Sequence, residues 1–251
     1  GRMNVEAGLP LISLVGGSLS ALLALVLTAV FSMGDVNRII ISAMMPLLPG
    51  LAMTNAIRDA MRGDLVSGVA RMGGAISTLL KLTFGTVAAT QLCGALGIDP
   101  GTYTLPPLPG WVDYPSLLLG ALGFAILFRA ARRDWPVVIG AVLVGYLATR
   151  WGGLISGSIP GAPFGVFLGG FLLGAMANLY ARWMHRPGAV IREPGIILLV
   201  PGSVGFRSVS YLFERDTVLG LDTGVLLLTL LISLVAGLLF GDLLVSSRRS
   251  L

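Results

Sequence analysis

Residues 39–57 read IIISAMMPLLPGLAMTNAI, and residues 195–213 read GIILLVPGSVGFRSVSYLF. Each is apolar and close to the roughly 20 residues that a helix needs to cross a bilayer at about 1.5 Å rise per residue. Each is also interrupted near its middle, by Pro49-Gly50 and by Pro201-Gly202. Proline lacks the N–H that would bond to the carbonyl four residues back, and glycine adds no side-chain constraint. Backbone freed in this way persists in a membrane only against protein or a water-filled cavity. Taken singly, either break reads as an ordinary proline kink; a corresponding pair points to a central polar site.

The rest of the chain supports a lipid solvent. Of 251 residues, 55% are hydrophobic and only 12% charged, against roughly 25% charged in soluble domains. Mean hydropathy is +0.89. Six further apolar stretches flank the two broken ones. They are Leu9–Phe31, Met72–Ile98, Tyr114–Phe128, Val137–Thr149, Pro163–Trp183 and Thr223–Val245. The expectation is an all-α integral membrane protein of about eight transmembrane helices. The loop from Asp99 to Asp113 carries Pro100, Pro106, Pro107 and Pro109, which cannot continue a helix.

The net charge of +5 comes from 16 arginines and one lysine, Lys81. These arginines are scattered between apolar runs rather than gathered on a polar face, which argues against nucleic acid as a partner. Their placement orients the helices. With a cytoplasmic N-terminus, twelve lie inside: Arg2, Arg58, Arg62, Arg71, Arg129, Arg132, Arg133, Arg182, Arg186, Arg192, Arg248 and Arg249. Four lie outside: Arg38, Arg150, Arg207 and Arg215. Both termini are therefore expected in the cytoplasm. The scarcity of lysine suits a GC-rich bacterial genome, and hence an inner membrane. A lone Cys93 and a lone His185 support neither a disulfide nor the usual zinc motifs, and no cofactor is expected.

Shifted by 152 residues, Pro49-Gly50 falls on Pro201-Gly202, Asp64 on Asp216, Gly68 on Gly220 and Gly85 on Gly237. A shift of 153 places Pro10 on Pro163, Gly16-Gly17 on Gly169-Gly170 and Leu19 on Leu172. Helices one to three thus correspond to helices six to eight, an odd offset of five. Each copy would cross the bilayer in the opposite sense, the inverted-topology repeat common in secondary transporters. The expected division is residues 1–106 and 107–251, with two helices preceding Gly1 in a complete five-plus-five array. On this reading the chain is truncated at its N-terminus.

Several residues stand out near the breaks. Lys81 lies ten positions beyond Arg71, about 15 Å into the bilayer. A charge there costs roughly 2.5–3.5 kcal/mol on insertion scales, so it should face a cavity or a carboxylate, unless its helix sits higher. Arg58 and Asp59 follow the first break and either gate or couple protons at the cytoplasmic mouth, or are solvated interface charges. Asp64 and Asp216, just past the broken helices, are suited to cap the helices that follow; proton coupling is their alternative role. Asp242 reads most simply as a partner of Arg248 or Arg249. Asn178 either meets substrate or bonds a neighbouring helix. His185 is an interfacial cation, and the Gly165/Gly169, Gly170/Gly174 and Gly237/Gly241 pairs have the spacing of close helix packing. No nucleophile elbow, phosphate loop or metalloprotease helix is present, so an enzyme is not expected.

Pro46, Pro49-Gly50, Asn55, Arg58-Asp59, Gly63-Asp64 and Ser67-Gly68 together resemble the N-terminal membrane signature of the threonine/serine exporter family. Pro194-Gly195, Val200-Pro201-Gly202-Ser203, Arg207 and the Gly237 helix resemble its C-terminal signature. The likeness covers residues 9–245 and extends to the related two-component succinate exporters. It implies export of small amino acids or dicarboxylates driven by the proton-motive force. Both signatures on one chain favour the fused amino-acid exporters. Members usually begin with a cytoplasmic domain and further helices, and on the truncated reading these are expected ahead of Gly1. The expected substrate site comprises Pro49, Gly50, Asn55, Lys81, Pro201, Gly202, Ser203 and Arg207, with Arg58, Asp59, Asp64 and Asp216 for proton coupling. Lipid, protons and the substrate are the expected partners, and a homo-oligomer is an open possibility. A membrane subunit that needs a second chain, or a dicarboxylate exporter, is the alternative.

Overall fold

The computed structural model describes residues 15–23, 25–26, 36–97, 109–155 and 162–245. Arg2, Pro10, Arg248, Arg249 and most of the loop from residue 99 to residue 113 fall outside the described residues, as do the ends of the first expected span. Helical backbone occupies residues 15–23. Among the described residues nine helices follow: α1 (Val36–Met44), α2 (Gly50–Met61), α3 (Leu65–Ala95), α4 (Asp113–Leu127), α5 (Trp135–Ile155), α6 (Pro163–Met184), α7 (Ala189–Leu199), α8 (Gly202–Phe213) and α9 (Thr217–Leu244). No strand occurs among the described residues. Among the described residues six segments are long and apolar enough to cross a membrane, α7 and α8 counting together as one. Exposed apolar side chains such as Val66, Phe84, Val225 and Ile232 lie along α3 and α9, as expected where the solvent is hydrocarbon rather than water.

Both Pro-Gly steps break helices as their chemistry requires. After α1 a single 3-10 turn, Met45–Leu47, leads to Leu48 in extended backbone (φ −65°, ψ 130°), and α2 starts at Gly50. After α7, Val200 is likewise extended (φ −69°, ψ 124°), and α8 starts at Gly202. The ends of α2 and α8 are built alike as well. Gly63 has φ +93° and Arg215 φ +65°. The next residue in each case, Asp64 or Asp216, donates its N–H five residues back, to Asp59 O at 3.0 Å and to Tyr211 O at 2.9 Å. Such left-handed closures satisfy the last carbonyls of a helix. Every one of these matched pairs lies 152 residues apart. The following helices start earlier than hydropathy alone suggests, at Leu65 and Thr217 instead of Met72 and Thr223. The charged Arg71 and Asp222 stand within the first two turns of these helices and delay the hydropathy signal; the start of α9 is capped, as Asp216 Oδ1 accepts from Leu219 N–H at 3.1 Å.

The described chain divides into two compact units. One comprises the described parts of Gly1–Met53, Val66–Pro107 and Gly202–Leu227; the other, those of Thr54–Leu65, Leu108–Pro201 and Leu228–Leu251. Within the first, a Cβ on Gly17 would lie 2.5 Å from the Leu82 carbonyl oxygen, and one on Gly16 2.6 Å from Leu47 Cδ1. Thr86 Oγ1 meets Met44 Sδ at 3.4 Å, and Ser208 Oγ donates to Gly220 O at 2.8 Å. Within the second unit, a Cβ on Gly170 would lie 2.6 Å from the Leu234 carbonyl oxygen, and one on Gly169 3.1 Å from Leu199 Cδ1. The contacts of Gly16 and Gly17 thus recur at Gly169 and Gly170, with partners 152 residues further on. Glycine is required at Gly17 and Gly170 because a neighbouring backbone occupies the place of a side chain. In the second unit α6 packs on α5 and α7. The Phe167 and Phe240 rings meet edge to face at 5.9 Å.

Candidate functional site

In the first unit the two breaks come together. A Cβ on Gly202 would lie 3.3 Å from Leu48 Cβ and 3.9 Å from Gly50 Cα. The N-terminal turns of α2 and α8 are therefore neighbours. The first turn of a helix holds N–H groups without an intrahelical partner and carries a partial positive charge. Two such ends at one place suit an anionic group such as a carboxylate. Gly50 and Gly202 are buried, while Pro49 and Ser203 are half-buried; of the second unit's residues, Pro201 is buried and Asn55 half-buried. Arg207 is exposed on α8. Lys81 is half-buried on α3, beside a buried stripe that includes Leu79, Leu82, Thr83 and Thr86. It makes no ion pair with any described residue. Thr83 Oγ1, on the same stripe, is buried without a hydrogen-bond partner.

In the second unit a denser polar cluster surrounds Asp242, near the end of α9. Its Oδ2 accepts from Arg58 at 3.2 Å and from Arg62 at 3.1 Å. Its Oδ1 accepts from Arg192 at 2.6 Å and from Asn178 Nδ2 at 2.9 Å. Asn178 Nδ2 also donates to Val245 O at 2.8 Å, and its Oδ1 accepts from Arg192 at 3.1 Å. One carboxylate thus joins α2, α6, α7 and α9. Asn178 takes the helix-bonding role among its two readings. The expected Arg248 and Arg249 partners of Asp242 lie outside the described residues. A smaller cluster places Asp134 between Tyr180 Oη, at 3.1 Å, and the Arg186 guanidinium.

Of the four residues expected for proton coupling, Arg58 belongs to the Asp242 cluster and Asp59 is half-buried beside it on α2. Asp64 and Asp216 are exposed, and Asp216 caps α9. Sequence reasoning passed over Arg62 and Arg192 as orientation charges. Their partner in the chain, Asp242, was the available signal: an acid inside an apolar helix calls for a cation close by. Among the described residues no group of three or more metal-ligating side chains gathers.

Residues 9–93 match the family model described as "Putative threonine/serine exporter", and residues 116–244 match "Threonine/Serine exporter, ThrE". Similar curated proteins are fungal. Pheromone-regulated membrane protein 10 of Eremothecium gossypii is 28% identical over 64% of this chain and 22% of its own length. The protein of the same name from Zygosaccharomyces rouxii is 26% identical over 64% of this chain and 16% of its own. An uncharacterised protein of Schizosaccharomyces pombe is 25% identical over 70% of this chain and 21% of its own. The chain thus spans less than a quarter of the length of these relatives. No solved structure matches it.

Proposed function

Because this chain belongs to the threonine/serine exporter family, we propose that it is a secondary active exporter of small polar metabolites, with threonine-like and serine-like amino acids as substrates and the proton-motive force as its drive. The observation that carries this reading is the contact of the two Pro-Gly breaks at Gly50 and Gly202. Two helix starts held together offer backbone donors and partial positive charge to a substrate carboxylate. Ser203 orients the ligand, Lys81 and Arg207 attract its carboxylate, and Asp59 or Asp64 carries the proton. The matched helix ends, the matched extended residues Leu48 and Val200, and the matched glycine contacts all support a duplication. We read it as inverted, within an array of eight or more spans whose termini are cytoplasmic and which sits in a bacterial inner membrane.

A second reading, a membrane subunit that needs further polypeptide to complete the pathway, draws on relatives in which the matched region is about a fifth of the chain. Efflux from proteoliposomes separates the two. Radiolabelled threonine or serine should leave faster when a pH gradient is imposed, and succinate should not. Gradient-dependent succinate flux would reassign the substrate to dicarboxylates. No gradient-dependent flux of any of the three would defeat the exporter reading.

A further inference from the structure

The Asp242 cluster is unbalanced in charge. Arg58 and Arg192 have side chains only 14% and 17% exposed, and the Asp242 carboxylate they share is 19% exposed. Arg62 is 48% exposed, so water screens much of its charge. Among the described residues the sheltered part of the cluster therefore holds two guanidiniums against one carboxylate. An uncompensated cation away from water is costly unless a counter-ion joins it. Hydrogen bonding is unbalanced in the same direction. The Nε atoms of Arg58 and of Arg192 are both buried, and neither has a hydrogen-bond partner. Each arginine engages Asp242 through its Nη2 atom, so the Nε–H of each remains to be satisfied. An Nε–H left over in this way is a charged donor that one oxygen of an oxyanion accepts.

From this excess of one positive charge and these two unused donors, we infer that the Arg58–Arg192–Asp242 cluster is a binding site for a second, exogenous oxyanion, a carboxylate or a phosphate. Asp242 is the resident counter-charge that holds the arginines in place, and the ligand supplies the one that is missing. Asn178 braces the arrangement by accepting from Arg192 and donating to Asp242. The ligand class is shared by two sources: a soluble carboxylate or phosphate, and the phosphodiester of an anionic lipid.

Binding can be read on the purified full-length chain without reference to transport. Calorimetric titration in phosphatidylcholine nanodiscs uses inorganic phosphate, succinate and L-threonine in turn; a parallel titration adds phosphatidylglycerol to the detergent-solubilised protein. Saturable binding of a soluble probe assigns the site to a solute, and binding of phosphatidylglycerol alone assigns it to lipid. In either case Arg192→Gln should weaken binding about tenfold or more, the worth of a charged hydrogen bond, while Arg133→Gln, at an exposed arginine outside the cluster, leaves it unchanged. Arg192→Lys, which keeps the charge but loses the Nε–H, should fall between the wild type and Arg192→Gln. Asp242→Asn removes the resident negative charge and should tighten binding several-fold, a gain that misfolding cannot imitate. The inference is overturned if no probe binds, or if Asp242→Asn and Arg192→Lys both bind as the wild type does. Anion binding without efflux would leave this site standing while the exporter reading fell. Efflux with binding indifferent to these variants would do the reverse.

Discussion

Asp216, just before α9, and Asp242, near its end, have opposite surroundings, and the contrast shows how far a residue's neighbours decide its worth. Asp216 is exposed and caps the helix that it precedes, through the Leu219 N–H. Replacing such a cap with alanine costs about 1 kcal/mol. Asp242 is mostly sheltered and holds Arg58, Arg62 and Arg192 together. Asp242→Ala leaves those cations facing one another, and breaking a sheltered pair in this way costs roughly 3–5 kcal/mol. Thermal unfolding in detergent should therefore show a drop for Asp242→Ala several times that for Asp216→Ala. Equal, small drops would mean that water already compensates the arginines. The sequence carried part of this. Asp242 is visible as an acid within an apolar run, but its partners Arg58 and Arg192 are 184 and 50 residues away. Linear spacing favours nearby Arg248 and Arg249, and only folding brings α2 and α7 to α9.

At the scale of the element, the breaks were the most legible feature, because proline and glycine act locally and need no tertiary information. The starts of α2 and α8 at Gly50 and Gly202 fall where the Pro-Gly steps predict them. Helix starts were less legible: Arg71 and Asp222 stand within the first two turns of α3 and α9, and their charge hides the start from a reading of hydropathy. Glycine spacing announced close packing without saying what packs on what. Gly170 proves to lie against the Leu234 carbonyl, as Gly17 lies against that of Leu82. If the two contacts descend from one duplicated pair, Gly17→Ala and Gly170→Ala should each cost a similar amount, about 1–3 kcal/mol for an overpacked contact. Gly120→Ala, where a Cβ meets nothing within 4 Å, should be neutral or slightly stabilising, since alanine is the better helix former. These costs are readable as shifts in unfolding midpoint. A costly Gly17→Ala beside a harmless Gly170→Ala would remove the packing argument for a duplication.

The whole molecule is a multi-span membrane protein of the threonine/serine exporter family, and its transport reading turns on whether water reaches the paired breaks. Composition alone establishes the lipid solvent; the meeting of Gly202 with Leu48 and Gly50 required the fold. That meeting explains why irregular backbone is tolerated in the apolar stretches at residues 39–57 and 195–213. Alternating access would expose the same place to each side in turn. The chain contains a single cysteine, Cys93, and it is buried, so one substitution gives a thiol-free background. In that background Ser203→Cys sets a reporter one residue beyond the second break. Labelling of intact proteoliposomes with a membrane-impermeant, water-soluble thiol reagent is the most direct measurement. The expected result is rapid modification of Ser203→Cys that added threonine slows. A thiol that stays unmodified by the aqueous reagent, yet reacts with a lipid-soluble one, would show that the breaks face hydrocarbon, contrary to this account.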